Sequence, residues 1–129
     1  MEGGSNHRKE LGKTGEDLAC RYLESKGHRI LERNYRSGHL EIDIISFDKD
    51  GIHFVEVKTR SRNIQAPPQE NVNKEKQRRI TSAALRFLNS ANGIPYGNHE
   101  CHFDIVAVTF EGSRFSTEWI PQAYIPIYF

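Results

Sequence analysis

Apolar and charged residues alternate almost step by step through the middle of the chain. Leu40-Glu41-Ile42-Asp43-Ile44 reads one way and Val55-Glu56-Val57-Lys58 reads the same way after a polar break at Asp48-Lys49-Asp50-Gly51. A period of two is the signature of a strand, and two such runs around a short Asp/Gly turn predict a β-hairpin, with strands over residues 40–46 and 52–59. Strand side chains point to alternate faces, so Glu41 and Asp43 share one face of the first strand, and Ile42 and Ile44 the other. Turn chemistry then sets the register. With Lys49 and Asp50 as the two loop residues, Asp43 stands opposite Glu56, Glu41 opposite Lys58, Ile42 opposite Val57 and Ile44 opposite Val55. Shifting the loop to Asp50-Gly51 still leaves the four charges on one face, whereas a three-residue loop would set valines against acids.

The flanking pattern predicts helices and further strands. Leu11, Leu18, Ala19, Tyr22 and Leu23 recur at helical spacing over residues 7–26, with Gly27 as the stop, whereas residues 1–6 lack periodicity and are expected to fray. Residues 28–36 predict a strand leading into the hairpin, with Tyr35 in or beside the core. Its Arg29, Arg33 and Arg36 either face phosphates or simply keep an edge soluble. Residues 61–70, broken by Pro67-Pro68, read as a connector or as a substrate-contacting lid. Asn71 or Asn73 caps a helix running to Ala91, with Ile80, Ala84, Phe87, Leu88 and Ala91 on its apolar stripe. The run 101–110 is nearly all apolar and predicts a strand buried on both faces, in which Asp104 must be paired and is read as structural. Residues 114–120 predict an edge strand, with Trp119 against the core. The tail after Pro121 either folds back or forms a dimer contact.

Composition narrows the function classes. At 129 residues, 27% charged and 36% hydrophobic, the chain is expected to form a single domain over residues 1–129, with residues 1–6 disordered. The formal charge of +1 means that nucleic-acid binding cannot rest on bulk charge and needs basic residues gathered on one face. There is no apolar run of membrane-spanning length and no signal-peptide pattern at residues 1–10, so no membrane partner is expected and a cytoplasmic location is the default. Cys20 and Cys101 have no metal-like spacing and are read as reduced.

The chemistry lies in the hairpin charges. Two carboxylates side by side on paired strands, Asp43 and Glu56, repel each other unless a cation or proton lies between them. Hard oxygen donors with Lys58 nearby point to Mg2+ or Mn2+. Glu16 lies about 20° around the first helix from Leu23, at the border of its buried stripe. It either pairs with a basic side chain or reaches the acidic cluster. Glu41 is either a further ligand or the partner of Lys58. Salt bridging of all four charges is the structural alternative to a site.

Asp43 followed by Glu56-Val57-Lys58 resembles the PD-(D/E)xK signature of restriction-endonuclease-like nucleases. More closely, Gly15-Glu16 with Ala19, Glu41-Ile42-Asp43-Ile44-Ile45, Phe54-Val55-Glu56-Val57-Lys58-Thr59-Arg60, Lys76 with Ala83-Ala84, and Phe103-Asp104-Ile105-Val106-Ala107-Val108 resemble the YraN-like family of bacterial proteins. The likeness runs from Leu11 to about Tyr124. Leu40 and His102 depart from it, where the family has Gly and Arg, and the second change removes one phosphate contact. The resemblance implies an α/β, restriction-endonuclease-like mixed β-sheet flanked by helices, similar to archaeal Holliday-junction resolvases. In such a site Asp43 and Glu56, joined by Glu16 or Glu41 and the Val57 carbonyl, would hold magnesium, with Lys58 as the catalytic lysine.

The basic residues Arg60, Arg62, Lys74, Lys76, Arg78 and Arg79, with Arg86 further on, either meet a phosphate backbone or form a solvated face. Cations at a helix N-terminus oppose its dipole, which leaves propensity unable to explain Lys74 and Lys76. The leading expectation is a metal-dependent endonuclease or nuclease-like protein acting on DNA phosphodiesters, branched DNA included. The alternatives are a non-catalytic nucleic-acid-binding module of the same fold and a protein-interaction adaptor. Junction cleavage would favour a homodimer, since two strands are cut in matched positions.

Overall fold

The computed structural model describes residues 4–61 and 73–124, with side chains from Lys13 onward. Among the described residues, two α-helices and five strands follow in the order α1 (Gly4–Ser25), β1 (Arg29–Ser37), β2 (Leu40–Asp48), β3 (Gly51–Ser61), α2 (Lys74–Leu88), β4 (Cys101–Glu111) and β5 (Arg114–Ile120), with a short 3-10 turn at Ile94–Tyr96 before β4. The strands form one mixed sheet in sequential order, antiparallel except for β3 beside β4. That parallel pair requires a crossover, and α2 lies within it. The fold is the α/β mixed sheet flanked by helices that the sequence predicts.

The hairpin loop is the expected one, because Asp48 pairs with Gly51 and the register runs from there to Ile44 opposite Val55. Gly51 has φ +137°, and a Cβ there would stand 2.2 Å from the Glu100 carbonyl oxygen, which accepts from Ile52 N–H. Only glycine meets both demands. β4 is buried from His102 to Val108 as expected, and β5 is the expected edge strand.

The alternation along β3 sorts the core into two layers. Val55 packs with Ala19 and Leu23 of α1, and with Ile44, Val106 and Val108. Phe54 faces the other way with Phe103, Ile42 and Ile45, under Ile80, Ala84 and Phe87 of α2. α1 comes very close to the sheet at Gly15, where a Cβ would lie 2.2 Å from Thr59 Oγ1. The Asn73 side chain caps α2 by accepting from Lys76 N–H. The helix ends at Leu88, so Ala91, expected on its stripe, lies beyond it.

Two further expectations change, and a third is narrowed. α1 begins at Gly4, inside the stretch expected to fray. Ile42 and Ile44, expected on one face, enter different clusters, Ile42 beneath α2 and Ile44 beneath α1. The basic edge of β1 is taken up within the chain: Arg33 pairs with Asp17 at 2.7 Å, Arg36 with Glu41 at 3.6 Å, and Arg29 donates to the Tyr96 hydroxyl. Among the described residues no helix is long and apolar enough to cross a membrane.

Candidate functional site

The hairpin does not stay zipped. Its ladder ends at Ile44 and Val55, one residue short of the expected pairing of Asp43 with Glu56. Beyond that point the Asp43 carboxylate substitutes for a strand carbonyl and accepts the Val57 N–H at 2.8 Å. A side chain thus terminates the β2–β3 pairing, at the same point where Ile42 and Ile44 part into different layers. The strands part into a cleft of about 390 Å³, lined by Glu41, Asp43 and Glu56 on the sheet side and by Lys76 and Arg79 of α2.

Asp43 is the most perturbed group there. Burial, followed by the charge of Glu56, lifts its carboxyl from 3.8 to about 7, against the lowering effect of the Val57 hydrogen bond; Glu16 and Glu41 push in the same direction. Three other acids, Glu56, Glu16 and Glu41, therefore act on Asp43. Glu56 is matched instead by two lysines, with Lys58 Nζ at 3.3 Å and Lys76 Nζ at 2.5 Å from Oε2. Burial holds the Lys58 ammonium below its usual range, with Lys76 adding to the effect, although Glu56 opposes it. For Lys76 burial is the largest effect and works downward, but the hydrogen bond and charge of Glu56, with Lys58 and Asp43, together outweigh it and the net shift is upward.

The residues expected at a site thus separate into groups. Asp43, Glu56 and Lys58 come together, and Glu16 approaches from α1 while keeping a contact of 3.9 Å to Arg33. Glu41 lines the cleft but pairs with Arg36, not with Lys58, because the ladder that would have set them opposite has already ended. Val57 contributes its N–H to Asp43. Of the basic set, Lys76 turns inward to Glu56, Arg79 pairs with Glu75 at 3.4 Å, Arg60 donates to Thr109 Oγ1, and Lys74 and Arg78 are exposed on α2. Of the connector or lid expected over residues 61–70, Ser61 ends β3, and the rest, with Arg62, lies outside the described residues.

Asp104 has the structural role expected of it. It is fully buried and accepts from His53 Nδ1 at 2.6 Å, Trp119 Nε1 at 3.2 Å and Gln122 N–H at 2.9 Å. Cys20 and Cys101 are free thiols, raised by burial. The sequence reading missed a buried cluster of histidines around Asp48, in which the rings of His28 and His102 each lie 4.5 Å from that of His53. Its signal was one histidine in, or immediately before, each of three strands.

The same features place the chain among known proteins. The model of the uncharacterised protein family UPF0102 matches residues 15–108, which include every residue of the cleft named above. A UPF0102 protein of Geobacter metallireducens is 43% identical over 93% of this chain and 96% of its own length. Relatives from Chlorobium phaeobacteroides (43% identical, covering 90% and 94%) and Bacteroides thetaiotaomicron (38%, covering 91% and 93%) carry the same description. Among solved structures, that of Pyrococcus furiosus SfsA in complex with Ca2+ aligns with a TM-score of 0.39 at 14% identity. It covers 87% of this chain and 62% of that one, a likeness too low to bear on function. The chain belongs to the uncharacterised protein family UPF0102.

Proposed function

We propose that this protein is a magnesium- or manganese-dependent endonuclease of the restriction-endonuclease-like type, acting on DNA phosphodiester bonds and suited to branched DNA. The observation that carries the reading is Asp43, buried at the parted end of the hairpin beside Glu56 and raised to about 7 by burial and by the Glu56 charge. The donors fit a hard divalent ion: two adjacent carboxylates, Asp43 and Glu56, with Glu16 and Glu41 adding negative potential. When bound, such an ion supplies Lewis acidity toward the phosphodiester and increases the acidity of water. The Val57 N–H fixes one Asp43 oxygen and leaves the other for the cleft.

Lys58, held by Glu56 and shifted toward neutrality by burial, orients the attacking water and donates to charge accumulating on the phosphate. Lys76 neutralises Glu56 in the resting site and can turn to the phosphate once the acid has a stronger partner. With Lys74, Arg78 and Arg79 it lies on the N-terminal half of α2, and Arg60 extends this basic set from β3. Such a charge arrangement makes DNA affinity fall with salt.

The test combines calorimetric titration of Mg2+ and Mn2+ with cleavage of labelled linear, flapped and four-way DNA. Wild type should take up metal and cut at least one DNA shape, and the Asp43→Asn, Glu56→Gln double variant should do neither. Lys58→Ala should bind metal but cut about 100-fold to 1,000-fold more slowly. Metal uptake that the double variant retains, or no cutting of any substrate, would overturn the reading.

One observation favours a second reading, the non-catalytic nucleic-acid-binding module: Glu56 is already neutralised by Lys76. In that case Glu56→Gln leaves salt-dependent DNA affinity intact, and no metal-dependent cutting is found in any variant.

A further inference from the structure

The opposite end of the same hairpin carries a second set of donor atoms. It lies five residues from Asp43 along β2, roughly 16 Å at strand rise. His28, His53 and Asp48 each offer one donor atom, and these atoms lie within 4.8 Å of one another. His53 Nε2 and Asp48 Oδ1 share a hydrogen bond of 2.8 Å, whose proton an ion would replace, and His28 Nε2 stands 3.2 Å from Asp48 Oδ2. Donors around a tetrahedral zinc ion, at ~2.0–2.1 Å from it, stand about 3.3 Å apart, close to the spacing already present.

Each imidazole is also oriented from behind. His28 Nδ1 hydrogen-bonds Ser46 Oγ at 2.9 Å, and His53 Nδ1–H donates to Asp104 Oδ2 at 2.6 Å. Asp104 is itself anchored by Trp119 and Gln122. Histidine ligands of metals are held in this way, with one nitrogen tied to an oxygen acceptor and the other left for the ion. His28 supplies the second observation. Its side chain is fully buried, and Nε2 makes no hydrogen bond although it is aimed at Asp48, because the contact lacks hydrogen-bonding geometry. A neutral imidazole presenting a lone pair toward a shared point explains that orphaned atom. A divalent ion would also cancel the formal charge of the two aspartates.

We infer that His28, His53 and Asp48 form a second metal site, selective for a zinc-like divalent ion and structural in role. Two imidazoles with one carboxylate suit zinc and its neighbours and disfavour magnesium, which separates this site by ligand chemistry from the Asp43–Glu56 cleft. An ion there ties the α1–β1 junction, where His28 follows Gly27, to the hairpin turn at Asp48.

The test uses the full chain, stripped with a chelator, titrated with Zn2+ and separately with Mg2+, in the Asp43→Asn background so that the cleft cannot contribute. One zinc ion per chain should bind, His28→Gln should weaken it by at least about a hundredfold, and Mg2+ should not compete. In the wild type the ring nitrogen resonances of His28 and His53 should shift together as zinc is added, a readout that does not depend on the folding of any variant. Ring resonances unmoved by millimolar zinc, or uptake lost in Asp43→Asn but kept in His28→Gln, would overturn the inference. In the first case the cluster is a buried imidazolium held between two aspartates without an ion.

Discussion

Asp43→Asn should make the protein more stable at neutral pH, although it removes a central residue of the proposed site. Asparagine is isosteric with aspartate and keeps an oxygen to accept the Val57 N–H, so the end of the hairpin ladder is preserved. What the substitution removes is a charge held where burial and Glu56 disfavour it. Lifting the carboxyl from 3.8 to about 7 corresponds to about 4 kcal/mol at ~1.4 kcal/mol per pH unit. Because Asp43 and Glu56 share the effect and the cleft is open to water, about 2 kcal/mol is the expected gain.

The sign follows from proton counting. Between pH 3.8 and about 7 the folded protein keeps the Asp43 proton and the unfolded chain has released it. Wild-type stability therefore falls as pH rises through that window and levels off above it. Urea denaturation of both proteins should give nearly equal stabilities below about pH 4 and a gap near 2 kcal/mol above about pH 7.5, the variant being the more stable. Saturating Mg2+ should narrow the gap by stabilising only the wild type. A variant no more stable than wild type at neutral pH, or a gap of equal size at acid and neutral pH, would refute the reasoning.

The remaining predictions concern the surroundings of the cleft and the structural acid. Lys76→Gln removes the 2.5 Å contact with Glu56; since this lysine is half-exposed, denaturation should show a loss of at most about 1 kcal/mol, while calorimetry should show tighter Mg2+ binding, and unchanged or weaker binding would mean that Lys76 does not compete with metal. Gly15→Ala forces a Cβ against Thr59 Oγ1 and should cost about 1–3 kcal/mol, partly recovered in the Gly15→Ala, Thr59→Ala double variant; no recovery would show that the strain lies elsewhere. His53, which burial would lower, is raised overall by its bonds to Asp104 and Asp48, so in the metal-free protein its contribution to stability is full below its unfolded pKa and fades as pH rises through the folded one. Asp104→Asn should lower the His53 titration midpoint by NMR and cost about 2–4 kcal/mol, and an unchanged midpoint would dissociate the two residues.

Local pattern carried the hairpin but not its end. Strict alternation and a two-residue loop were enough to place Ile44 opposite Val55 and Asp48 opposite Gly51. Alternation contains no signal for where a ladder stops, because the Asp43 side chain replaces a main-chain acceptor, and a register argument treats every residue as paired. Lys76 shows a second limit. As one of several cations at the start of α2 it reads as phosphate-facing or solvated, whereas the crossover from β3 to β4 turns it back over Glu56. The histidine cluster was hidden for a related reason, since His28, His53 and His102 each sit singly in the sequence and meet only when the strands align, with His53 directly beside His102 in the β3–β4 register.

Satisfaction, more than burial, separates the acids of this fold. Asp104 is the more deeply buried of the two principal ones, yet three donors converge on it, so nothing remains for a ligand to supply and its role ends with structure. Asp43 receives the Val57 N–H, faces another carboxylate and opens on a cleft, so its environment favours a proton or a cation. Consistent sequences place such conflicts sparingly, and where every other level agrees on the fold a retained conflict points to chemistry. The hairpin has one conflict at each end: a carboxylate buried against another carboxylate where the strands part, and an imidazole nitrogen without a hydrogen-bond partner beside the turn. Hard oxygens gather at the first and imidazoles at the second, and a cation of the matching kind would resolve each.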